Sequence, residues 1–200
     1  GQCMISWFFI GLVITILLTP GPTNTLLASS GIQVGIRKSF RLIPAEALGY
    51  LISITLWGAL IGKVSTHLPL LPTILKLFSA SYIIFLAIKL WRTANVEQSF
   101  NQPTIRASEL FLATLLNPKA LLFASAIFPT IAWVKADYYV AHMLAFLCLI
   151  VPIAIFWTFI GSVLAKNKIS WLNQCNLQKT ASIVLLSFSI PLSYSALLSL

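Results

Sequence analysis

Residues 17–24 read Leu-Leu-Thr-Pro-Gly-Pro-Thr-Asn, at the end of an apolar run over 4–18 that carries no charge. Pro20 and Pro22 therefore fall inside a segment that otherwise reads as membrane-spanning. Neither ring nitrogen can donate to the carbonyl a turn earlier, near Ile16 and Leu18, and Gly21 between them adds backbone freedom. Carbonyls freed in hydrocarbon cost several kcal/mol each, so such a break is tolerated only where it is buried in protein or lines a polar cavity. The break is a candidate site. The plain alternative is a Pro-kinked helix without a ligand, since proline is common in membrane spans. Thr23, Asn24 and Thr25 directly after it supply more polar side chains than a kink requires.

Only 8% of the residues are charged and 58% are hydrophobic, with a mean hydropathy of +0.94, which describes an integral membrane protein. At about 20 residues per span, the 200 residues hold six spans with short loops, hence a single transmembrane domain over 1–200. The net charge of +9 does not indicate nucleic acid, because the basic residues form short clusters between apolar runs. Cys3, Cys148 and Cys175 show neither metal-ligand spacing nor a disulfide framework and read as structural. No cofactor or metal is indicated. No Lys or Arg precedes the first apolar run, which argues for a retained span over a cleaved leader.

The hydropathy places spans at about 4–30, 42–62, 70–91, 109–132, 139–165 and 180–200, with a loop at 31–41 punctuated by Gly31 and Gly35. The polar stretch 92–108 divides the chain into halves of three spans, about 4–91 and 109–200. Loop charges are asymmetric. Arg37, Lys38 and Arg41, then Lys89, Arg92 and Arg106, then Lys166, Lys168 and Lys179 lie on one side, against Lys63 and Lys135 on the other. The richer side is cytoplasmic and both termini face outward. Three spans per half make the second half enter from the opposite face, so the fold class is all-α with two inverted three-helix repeats. A faint internal echo agrees: Leu26-Leu27-Ala28-Ser29 follows Pro22 at the offset at which Leu122-Phe123-Ala124-Ser125 follows Pro118. The first helix of each half is broken by proline.

In order and spacing, Pro20-Gly21-Pro22, the turn from Gly31 through Gly35 to Arg37, the small residues into Gly49, and Asn117-Pro118-Lys119 in the fourth span resemble the LysE/RhtB family of amino-acid exporters. The resemblance covers most of the chain. It implies a bacterial inner-membrane carrier, often a homodimer, that exports amino acids or related small metabolites under the proton motive force. The sequence departs from the family at Ser39, Ala45, Ser79 and Ala87, where many members have glycine, and at Glu46, where an acid is not expected.

An amino acid offers a carboxylate and an ammonium, so its site needs a cationic or amide pole and an acceptor pole. Lys119 lies about ten residues, roughly 15 Å, into its span, where a charge is costly unless paired or wet. It is the leading candidate for the carboxylate, with a structural lysine paired to a carbonyl or to Glu46 as the alternative. Glu46 reads equally as a holder of the ammonium or a coupling proton and as a side chain reaching the cytoplasmic face beside Arg41. Asn24 and Asn117 supply amides at the two breaks, or cap them. The candidate substrate-binding set is thus Pro20, Gly21, Pro22, Asn24, Glu46, Asn117, Pro118 and Lys119. Enzyme readings fail for want of a catalytic pair or a phosphate loop, and His67 and His142 lie near predicted membrane edges. The other function class is a non-transporting assembly or redox-partner subunit, which would not need two matched helix breaks.

Overall fold

The computed structural model describes residues 4–64, 67–94, 104–166, 170–171, 173–198 and 200. Most of them are helical. In chain order the helices are α1 (Trp7–Leu18), α2 (Pro22–Ser39), α3 (Ile43–Val64), α4 (Leu71–Thr93), α5 (Ala107–Leu115), α6 (Pro118–Leu122), α7 (Ala136–Lys166) and α8 (Gln174–Leu198). A short 3-10 turn, Phe40–Leu42, joins α2 to α3, and α6 runs on as a π-helical turn, Phe123–Ile127.

Length and apolarity qualify Pro22–Lys63 and Ala136–Lys166 as membrane spans, and a third if Ala107–Leu115 and Pro118–Ile127 count as one span bent by 43°. The bend falls where Pro118 removes a donor and Asn117 adopts extended backbone as the N-cap of α6. Pro22 starts α2 in the same way, at the first helical position after Gly21.

Two expectations from the sequence are corrected. The stretch 31–41 is helical up to Ser39 rather than a loop. Gly31 sits buried against Thr158, and only Gly35 departs from helical geometry, at φ 82°, where the absence of a Cβ makes a kink cheap. Ser39 Oγ donates to the Gly35 carbonyl at 2.7 Å and pairs with Ser30 Oγ at 2.7 Å, which serves the groups the kink exposes. The fourth span ends at Ile127 rather than 132, because Phe128 and Pro129 turn into extended backbone ahead of a 3-10 turn, Thr130–Trp133.

α2 packs most extensively on α7, α4 on α8, and α3 on the α5–α6 pair. Glycines set the closest approaches. A Cβ on Gly31 would collide with the Thr158 carbonyl and one on Gly161 with the Ala28 carbonyl, so α2 and α7 touch backbone to backbone. Gly49 brings α3 onto α5, where a Cβ would stand 2.7 Å from Thr114 Cβ. The core between these pairs is aromatic: Tyr50, Phe123 and Phe146 meet edge to face, with centroids 4.8 to 5.9 Å apart.

Candidate functional site

α1 ends two residues before Pro20, with Thr19 as its C-cap, and its last carbonyls are the groups that need partners. The Thr19 amide still reaches Thr15 O at 3.1 Å and Ile16 O at 3.2 Å, so the Ile16 carbonyl expected to be free is served. The carbonyls of Leu17 and Thr19 find a side-chain donor across the break. Asn24, in the first turn of α2, turns its amide back to them, with Nδ2 donating to Leu17 O at 2.7 Å and to Thr19 O at 2.9 Å. Asn24 is only 2% exposed, and it ties the two sides of the break together.

The second break arrives at the same place. Asn117 caps α6 by accepting from the Lys119 backbone N–H at 3.0 Å, which fixes the first turn and directs the Lys119 side chain. Lys119 Nζ donates to the Thr19 carbonyl. Its stem passes Gly21 so closely that a Cβ there would lie 3.3 Å from Lys119 Cε and 3.4 Å from Nζ. Gly21 has extended backbone, φ −172°, so space for the lysine, and not backbone freedom, is what this position demands. The Asn117 side chain bridges onward, Nδ2 donating to Tyr50 Oη at 3.3 Å and to Thr23 Oγ1 at 3.5 Å.

Glu46, in the first turn of α3, completes the cluster. It is 3% exposed and Lys119 6%, and Tyr50, one turn further along α3, carries the hydroxyl that Asn117 reaches. Glu46 Oε2 has no hydrogen-bond partner. A buried carboxylate oxygen left in that state is costly, and such groups gather where ligands or protons are handled.

Of the eight residues singled out in the sequence, Gly21, Asn24, Glu46, Asn117 and Lys119 are buried together, while Pro20, Pro22 and Pro118 are half-buried and shape the two breaks. The arrangement has two poles. Lys119 and the N-terminus of α2 form a donor end, and the C-terminal carbonyls of α1 with Glu46 form an acceptor end. Tyr50 and Thr23, buried at 1% and 0%, belong to the cluster; Thr23 was noted beside the break but left out of the candidate set, and Tyr50 was not singled out. Tyr50 stands four residues after Glu46, on the same helix face, which is the signal that would have found it.

Comparison with known proteins places this geometry in a family. The LysE type translocator family matches residues 14–196, both breaks and every residue of the cluster included. The chain belongs to the LysE type translocator family. An uncharacterized membrane protein of Vibrio cholerae serotype O1 is 30% identical over 117 residues, 56% of this chain and 57% of that one. A cysteine/O-acetylserine efflux protein of Escherichia coli strain K12 is 29% identical over 120 residues, 60% of this chain and 61% of its own. A protein of the same name in Shigella flexneri serotype 5b gives the same figures. The chain thus spans about three fifths of the length of these relatives. No solved structure matches it. As a LysE type translocator it is a membrane protein, and its polar cluster at the two breaks lies inside an otherwise apolar helical body.

Proposed function

We propose that this chain is an inner-membrane secondary transporter that exports amino acids or related small metabolites, and that the cluster at the two helix breaks is its substrate site. The observation that carries the reading is the bond from Lys119 to the Thr19 carbonyl. Here a cation and a backbone acceptor, from opposite breaks, satisfy each other beside an unpartnered carboxylate oxygen. A zwitterion inserted between them would exchange both partners at once, its carboxylate taking Lys119 and its ammonium taking the Thr19 carbonyl or Glu46. The printed names of the relatives from Escherichia coli and Shigella flexneri make cysteine and O-acetylserine the first substrates to try.

The six-span plan with two inverted repeats, over about 4–91 and 109–200, belongs to this reading. It is supported by the pairing of helices. An inverted repeat equates α2 with α6, α3 with α7 and α4 with α8, so the α2–α7 pair should recur as α6–α3 and α4 can meet α8 across the pseudo-axis; α2–α7 and α4–α8 are the most extensive pairings, and α3 also packs on α6, less extensively. Proton coupling, alternating access around the breaks, extracytoplasmic termini and a homodimer complete the proposal. Efflux tests it. Cells expressing the chain should tolerate inhibitory cysteine and accumulate it outside faster than cells with the empty vector. Unchanged tolerance and unchanged efflux across cysteine, O-acetylserine and the other amino acids would leave the chain as a non-transporting subunit.

A further inference from the structure

Away from the breaks, α4 and α8 form a pair of their own, locked where Ser182 Oγ donates to the Ala87 carbonyl at 2.6 Å, both residues being buried. Beside this bond, between the last turns of α4 and the middle of α8, lies a groove of about 410 Å³, lined by Ile88, Trp91, Arg92, Ser182, Ile183 and Leu186. The groove is open along one side, and its apolar residues are exposed, Ile183 at 60% and Ile88 at 47%. In a membrane protein such a face meets acyl chains. Its polar end is different. Arg92 closes α4, and Lys179 lies over the Trp91 ring with Nζ 5.2 Å from the centroid, a cation–π contact that holds the ammonium at the mouth while leaving its donors available. None of the residues lining the groove is acidic.

An occupant that satisfies both ends must be amphipathic, with an anionic head and an apolar tail. We propose that this groove binds an anionic phospholipid, its headgroup phosphate between Arg92 and Lys179 and an acyl chain along Ile88, Ile183 and Leu186. Charge complementarity decides the class. A neutral lipid would leave without a counterion two cations that have no carboxylate partner among the described residues, and a free phosphate would leave the apolar walls unused. The basic residues at this end belong to the richer side of the loop asymmetry, where anionic lipid attracts juxtamembrane cations.

Native mass spectrometry of the purified full chain, released from mixed micelles of phosphatidylglycerol and phosphatidylcholine, tests the assignment. The parent should retain phosphatidylglycerol in preference. Arg92→Gln combined with Lys179→Gln should lower that preference by roughly 25-fold, at about fivefold per cation, with helicity unchanged. Ile183→Trp, which fills the groove and keeps both charges, should reduce retention of either lipid, and Lys135→Gln at the opposite side should change nothing. An unaltered preference in the double variant overturns the proposal. So does displacement of the lipid by millimolar inorganic phosphate, or a dimer that keeps no lipid and so assigns the groove to a second copy.

Discussion

The Thr19 carbonyl accepts from two donors, the Asn24 amide and the Lys119 ammonium, and the redundancy separates scaffold from function at single residues. Asn24 alone can keep the break satisfied, so Lys119→Met, which retains the apolar stem, should leave the amount of protein in the membrane near normal. Efflux should fall by roughly ten- to a hundredfold, the worth of one hydrogen bond to a charged group. Lys119→Arg should not restore it, because the planar guanidinium has to pass Gly21 where the lysine stem already fits closely. Membrane level by immunoblot and efflux of labelled substrate distinguish the outcomes. Normal efflux in Lys119→Met removes the residue from transport, and joint loss of level and efflux makes it structural, as expected when a buried Glu46 loses its counter-charge at about 3–5 kcal/mol. The polar members of the cluster were legible because Asn24, Glu46, Asn117 and Lys119 stand out within apolar runs. Tyr50 was not, since a tyrosine in a membrane protein reads first as core or belt. The Thr19 carbonyl has no letter of its own; which carbonyl a broken helix leaves over depends on where the chain turns, and that is tertiary.

At the scale of elements, the α2–α7 crossing carries the closest packing, with Gly31 and Gly161 each facing a carbonyl of the other helix. Gly31→Ala should force the pair apart and destabilise the protein by about 1–3 kcal/mol, the usual cost of overpacking. Gly11→Ala serves as its control, because an added Cβ at Gly11 meets nothing within 4 Å and alanine favours the helix. Thermal melts in detergent should show a lowered midpoint for the first and an unchanged or raised one for the second. Gly31 also shows where sequence reading fails. A glycine that ends a helix and one that admits a neighbour look alike in a single sequence, so a turn was expected where α2 continues to Ser39. The breaks themselves were legible, because proline acts on its own backbone whatever lies around it.

For the whole molecule, the loop charges and the proline breaks carried the expectation of two halves, which stays part of the proposal, while the helix partners were not read from the sequence. Nothing in α4 or α8 names the other, and their apolar faces would suit any neighbour or lipid. Orientation is open to direct measurement. A cysteine at Asn101, with Cys3, Cys148 and Cys175 replaced by serine, should resist an impermeant maleimide in intact cells and react once the membrane is opened. Labelling of intact cells would invert the topology.

An exporter must also come back without its cargo, and the contact of Lys119 with the Thr19 carbonyl bears on that return. A lone ammonium carried through a dry passage would stall the unloaded protein, because a charge without partners in the membrane interior is costly. On the proposed reading, the chain supplies its own partner for the Lys119 ammonium, drawn from the opposite break, so that cation is not left alone when the solute is gone. On the exporter reading, such a carrier resets without taking a second molecule inward, and its cycle gives net efflux and not one-for-one exchange.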